Sequence, residues 1–153
     1  MKKILIAVDD TKGTKGMFQK IVKIVKCMNP EEILLLYVEK FEGRSLMDEM
    51  LGDAELSTLQ DVIQGTEFKE AMDKKAAKIL NFYKSALEER SPVPNVRTMV
   101  KTGIPAEEIV QTAKDEDASM IIIGSRGKRN RLFMGSVSRE VANTADRPVM
   151  IVK

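Results

Sequence analysis

The chain has 153 residues, with 25 Lys and Arg against 23 Asp and Glu, 43% hydrophobic and 31% charged residues, and a formal net charge of +2. That length fits a single domain over residues 1–153 with a real core, and the near-neutral balance gives no global field toward nucleic acid or a membrane surface. The absence of histidine excludes Ser-His-Asp and Cys-His catalysis and any histidine-built metal site, and the lone Cys27 excludes an internal disulfide.

The N-terminus resembles a signal peptide for five residues only, Ile4 to Val8, before Asp9 and Asp10 interrupt it. The longest other apolar run, Ile33 to Val38, is far short of a membrane span. With one cysteine, a reducing compartment fits, and a cytoplasmic protein without membrane or nucleic-acid partner is expected.

Five short apolar runs punctuate the chain: Ile4–Val8, Ile33–Val38, Val96–Val100, Met120–Ile123 and Val149–Val152. Most are continuous and rich in Ile, Leu and Val, as in strands buried on both faces of a parallel sheet. Val96–Val100 alternates instead, which suits an edge.

Helical patterns fall between these runs. The first places Met17, Phe18, Ile21, Ile24, Val25 and Met28 on one stripe, with lysines mostly opposite. Cys27 lies beside that stripe and is expected as a half-buried structural thiol. The segment 41–65 mixes apolar and acidic residues, and an excursion over the sheet edge is expected there, with short helices, a lid or a partner surface left open. A second helical pattern runs through Phe68, Met72, Ala76, Ile79, Tyr83 and Leu87 and stops at Pro92 and Pro94. A third opens at Gly103-Ile104-Pro105-Ala106-Glu107-Glu108, with proline suited to the first helical position and glutamates to the positive end of the helix dipole. The fourth starts near Gly135-Ser136 and turns Val137, Val141 and Ala145 inward. Strict alternation of strand and helix implies an α/β fold, an open five-stranded parallel sheet with helices on both faces.

Ligands of such sheets bind outside the carboxyl ends of the strands. Three strand ends qualify. After the first come Asp9, Asp10, Thr11 and Lys12, where a carboxylate suits ribose hydroxyls or a phosphate-bound metal, and where a turn and helix cap would use the same residues. After the second come Val38, Glu39 and Lys40, whose backbone groups suit a base edge. After the fourth comes Gly124-Ser125-Arg126-Gly127-Lys128-Arg129-Asn130-Arg131, with two glycines and four cations, followed by a helix start at Gly135-Ser136. Glycines, cations and a helix N-terminus together make a phosphate site. Neither a P-loop nor a G-x-G-x-x-G fingerprint is present.

The chain resembles the universal stress protein family. The resemblance rests on Ile4-Leu5-Ile6-Ala7-Val8-Asp9, Leu35-Leu36-Tyr37-Val38, Gly103-Ile104-Pro105-Ala106-Glu107-Glu108-Ile109, Ile121-Ile122-Ile123-Gly124-Ser125-Arg126-Gly127, Gly135-Ser136-Val137-Ser138 and Arg147-Pro148-Val149-Met150-Ile151-Val152. It implies strand order 3-2-1-4-5, a homodimer, and a stress-response or signalling role. Its ATP-binding branch carries G-x-x-G, nine residues, then G-[ST]. That branch would hold adenine and ribose on Ala7, Val8, Asp9 and Val38, and ribose and phosphates on Ile123, Gly124, Arg126, Gly127, Gly135, Ser136 and Val137, with Lys128 and Arg129 beside the phosphates. Here only seven residues, Lys128 to Met134, separate Gly127 from Gly135, so the loop has up to about 7 Å less reach.

The expected ligand is ATP, or AMP or another adenine nucleotide, with Mg2+ or Mn2+ through Asp9 and the phosphates. No general base is evident, so no catalytic residue is assigned and activity is expected to reach slow hydrolysis or autophosphorylation at most, with Ser136 or Ser138 as acceptor. The alternative is a dimerisation module with an empty site. The dimer is expected through the edge strand Val149, Met150, Ile151 and Val152.

Overall fold

The computed structural model describes residues 2–40, 67–91, 95–125 and 133–153. Strand β1 (Lys3–Val8) leads to helix α1 (Lys12–Met28), β2 (Glu32–Glu39), α2 (Glu67–Arg90), β3 (Val96–Thr102), α3 (Pro105–Asp115), β4 (Met120–Gly124), α4 (Ser136–Thr144) and β5 (Val149–Val152). Every strand expected from an apolar run is present, some a residue or two longer. The segment 41–65, Pro92 and Pro94 lie outside the described residues.

The sheet order is β3-β2-β1-β4-β5 and all pairings are parallel. In register, Ile6 of β1 lies between Leu35 of β2 and Ile122 of β4. Successive side chains of a strand point to opposite faces, and here both faces are covered. On one side Ile4, Ile6, Ile33 and Leu35 pack with Phe18, Ile21 and Val25 of α1 and Leu80, Tyr83 and Leu87 of α2. On the other, Leu5, Leu34, Leu36 and Ile121 pack with Ala106, Ile109 and Ala113 of α3 and Val141 of α4. Double coverage is why the central strands read as unbroken apolar runs. Among the described residues β3 has a neighbour on one side only, and its Arg97, Thr98 and Val100 are exposed, in keeping with its alternating sequence.

Helix ends follow their local chemistry. Thr11 caps α1, its side chain accepting from the Thr14 N–H, and Asn29 closes it in the left-handed region, donating to Val25 O. α3 carries proline in its first turn with Glu107 and Glu108 beside it, as its sequence dictates. Gly103 before it has φ +154, and a Cβ there would meet the Glu108 carboxylate at 2.8 Å, so the turn into α3 requires glycine.

Cys27 departs from expectation: it is exposed. Two residues beyond buried Val25, it lies about 200° round the helix, on the solvent side.

Candidate functional site

The order of the sheet reverses at β1, which lies between β2 and β4, and the crevice at their carboxyl ends is where side chains from separate crossovers converge. A cavity of about 660 Å3 occupies that place. β1 and the turn after it supply Ala7, Val8 and Asp9; β2 supplies Val38; β4 supplies Ile123 and Gly124; the start of α4 supplies Gly135, Ser136 and Val137. Every expected site residue within the described part of the chain therefore lines one cavity. Arg126, Gly127, Lys128 and Arg129 lie outside the described residues.

The floor next to β1 is fixed by hydrogen bonds. Asp9 Oδ1 accepts from Thr11 N at 2.8 Å, from Thr11 Oγ1 at 2.6 Å and from Thr14 Oγ1. The Tyr83 hydroxyl of α2 donates to Asp9 O at 3.1 Å. Burial, and then the nearby Asp9 and Asp10 charges, push the Tyr83 pKa well above the ordinary phenol value. Asp10 pairs with Lys75 of α2 at 2.8 Å.

The opposite wall is the start of α4. Its N-cap is Gly135, which brings no side-chain cap to the helix. The first-turn N–H groups therefore receive no capping bond from residue 135, and they carry the positive end of the helix dipole. Gly135 N donates to Ser125 O at 2.7 Å, and Ser138 Oγ donates to Gly135 O at 3.0 Å. The first of these bonds holds the helix start against the exit of β4, where Ser138 Oγ also reaches Ser125 O at 3.4 Å. Ser138 is buried at 2% exposure with its hydroxyl so engaged, whereas Ser136 is exposed.

Gly124 serves packing. A Cβ there would lie 2.3 Å from Met17 Cε of α1, so the space its missing side chain leaves is filled by the core. Its backbone lines the cavity from the other side.

Sequence reasoning missed the wall contributed by α2, which brings Ala71, Met72 and Lys75 to the cavity, and the approach of Pro105 and Ile109 from α3. Glu39, named only for its backbone, also lines the cavity. It is 2% exposed, and its Oε2 accepts from Lys69 at 3.3 Å and Thr102 at 3.2 Å, while Oε1 has no hydrogen-bond partner among the described residues. A charged residue closing an apolar strand run was the signal available. Tyr37 beside it has its pKa raised, chiefly by burial.

Among the described residues no group of three or more carboxylate, thiol or imidazole side chains is placed to hold a metal ion. None of their helices is long and apolar enough to cross a membrane.

Sheet order and cavity position define a doubly wound α/β protein with a cleft at the switch point. The chain belongs to the universal stress protein family, whose model matches residues 1–153. It is 33% identical to universal stress protein MJ0577 of Methanocaldococcus jannaschii, over 99% of this chain and 94% of that one. Universal stress protein YxiE of Bacillus subtilis is 34% identical across 57% of this chain and 59% of its own length. The solved structure of MJ0577 superposes with a TM-score of 0.72 at 28% identity, covering 99% and 94% of the two chains. A universal stress protein from Archaeoglobus fulgidus shares the fold with a TM-score of 0.64 at 21% identity, covering all of this chain and 94% of its own.

Proposed function

We propose that the cavity binds an adenine nucleotide, ATP foremost, and that the protein acts as a cytoplasmic, homodimeric, single-domain stress-response protein. The observation that carries the nucleotide reading is the polarity of the cleft. A carboxylate able to take hydroxyl donors stands at the β1 end, and a helix start without a side-chain cap stands across from it on α4. A ribose 5′-phosphate fits that order, hydroxyls toward Asp9 and phosphates toward Gly135, Ser136 and Val137. The base then falls over Ala7, Val8 and Val38. Phosphates would extend toward Gly127, Lys128 and Arg129, which follow β4 in sequence.

The fold accommodates such ligands elsewhere. A universal stress protein of Archaeoglobus fulgidus has been solved in complex with dAMP, and one of Arabidopsis thaliana with AMP bound. These share 20% and 24% identity with this chain, so they support what the fold can hold, and the residues above carry the argument.

Calorimetry with ATP, AMP and adenosine tests the reading. Affinity is expected to rise with phosphate count, and Asp9→Ala is expected to weaken all three. A well-folded protein that binds none of them refutes it.

The dimer reading rests on β5, which among the described residues has β4 as its only neighbour in the sheet and leaves Val149, Met150 and Ile151 half-exposed. Two such edges pairing about a two-fold axis would satisfy their free N–H and C=O groups. A stable monomer in sedimentation at high concentration refutes it.

A further inference from the structure

Helix α2 is held to the rest of the molecule in two different ways along its length. Its later turns belong to the core, where Ala76, Leu80, Tyr83 and Leu87 are each 3% exposed or less. From Lys69 to Lys75 no residue is buried: Lys69 and Met72 are half-buried and the others exposed. Two ion pairs tie this stretch to the ends of the strands. Lys69 Nζ lies 3.3 Å from Glu39 Oε2 at the end of β2, and Lys75 Nζ lies 2.8 Å from Asp10 Oδ2 just after β1. The second pair is largely exposed, with side chains 58% and 33% open to solvent, and a pair of that kind holds little. The first is different. The Glu39 side chain is 1% exposed, its Oε2 also accepts from Thr102 Oγ1 at 3.2 Å, and its Oε1 has no hydrogen-bond partner among the described residues. Without Lys69 a buried carboxylate would be left with a single donor, so this pair holds the stretch more firmly than its surface position suggests.

We propose that the stretch from Lys69 to Lys75 is the part of the protein that responds to occupancy of the cavity. It opens locally about Ala76 when the cavity is empty, is restrained by the Glu39–Lys69 pair, and is clamped when a nucleotide fills the space. The inference rests on the nucleotide reading above and concerns the regulation of that site. Glu39, Ala71, Met72 and Lys75 all line the cavity. Ala71 is exposed and Met72 half-buried, so a ligand in the cavity gives them an apolar contact that they otherwise lack. Opening removes that contact. The ligand therefore binds the closed arrangement more tightly and shifts the population toward it. The later turns do not follow, because drawing Leu80 or Leu87 out of the core is far more costly than parting ion pairs near the surface. The opening is thus confined to the turns before Ala76. Glu70, Asp73 and Lys74 are exposed on the same stretch, so a ligand inside the cleft changes the order of a charged surface outside it.

Hydrogen exchange followed by mass spectrometry tests this on the full chain with and without saturating ATP, with calorimetry run in parallel to establish binding. In the wild-type protein ATP should slow exchange of amides 71–75 about fivefold or more beyond its effect on amides 80–87. Lys69→Met and Glu39→Gln break the buried pair from either side. Without ATP, both should speed exchange at 71–75 and leave 80–87 as in the wild type. Lys69→Arg keeps the charge and should exchange like the wild type. If calorimetry shows ATP binding while exchange at 71–75 is unchanged, or slows only as much as at 80–87, the proposal is overturned and the nucleotide reading stands. Wild-type exchange at 71–75 in Lys69→Met and Glu39→Gln also overturns it. So does faster exchange of both stretches together, since that is what a merely structural ion pair would give. Failure of the wild-type protein to bind ATP overturns both readings.

Discussion

Substituting Gly124 by alanine tests whether the end of β4 is shaped by core packing. The added Cβ would lie 2.3 Å from Met17 Cε and 3.2 Å from Met17 Sδ, far inside contact distance for the first. Backbone strain is not the issue, since among the described glycines only Gly103 has a positive φ. Met17 is 6% exposed and sits in the cluster with Phe18 and Ile21, so its methyl cannot swing into water without leaving the core. Overpacking of this kind costs about 1–3 kcal/mol. The low end is expected, because the clash is with the far end of a flexible, unbranched side chain. Met17→Ala alone removes most of a buried side chain and costs about 2–5 kcal/mol. In that background the clashing atoms are gone, and alanine at 124 fills part of the void. Gly124→Ala should then cost nothing or stabilise, which gives a coupling of about 1–3 kcal/mol between the two sites. Urea unfolding of the four proteins of the cycle measures it. If Gly124→Ala destabilises by the same amount with and without Met17, the missing side chain does not serve that contact and the argument fails.

Arg147→Met keeps the apolar stem but deletes bonds to Ala113 O at 2.7 Å and Ala118 O at 2.8 Å, which tie the end of α3 to the approach to β5. A loss of roughly 2–4 kcal/mol in chemical unfolding is expected, since two part-buried carbonyls lose a charged donor. Tyr83→Phe removes the donor to Asp9 O and should cost about 0.5–1.5 kcal/mol by the same assay. Because burial raises the Tyr83 pKa above the ordinary 10, wild-type stability is full below that pH and declines above it. In the phenylalanine variant this part of the alkaline decline should vanish. Glu116 behaves in the opposite sense: hydrogen bonds from Arg97 and then Lys3 hold its pKa below the ordinary 4.5. The contribution is present above that value and lost as pH falls through the lowered one, so Glu116→Gln should flatten the acid limb of a stability-against-pH profile.

The alternation of apolar runs with helical stripes was enough, by itself, to establish the parallel sheet, its edge at β3 and the strand ends where a ligand would sit. That follows because burial on both faces removes polar residues from a strand, and because a parallel crossover must place its loops at one end of the sheet. Asp9, Val38, Gly124 and Gly135 were legible for the same reason: each lies at or just beyond a strand end, or at the helix start that follows one. Strand order came from the family resemblance, and periodicity is silent on it, since any order buries the same runs.

Atomic partnerships were decided only in the tertiary structure. Tyr83 meets Asp9 across 74 positions of sequence, Arg147 meets Ala113 across 34, and Met17 fills the space beside Gly124. Periodicity tells which face of a helix is buried but not which atom of another crossover it meets, because that depends on helix placement to within an ångström. The same limit misplaced Cys27, which adjoins the apolar stripe in sequence but faces solvent once α1 is docked. It also hid the wall that α2 brings to the cavity, where Met72 reads only as part of the helix's apolar stripe until the chain folds α2 over the ends of β1 and β2 and sets Met72 and Lys75 against the cavity.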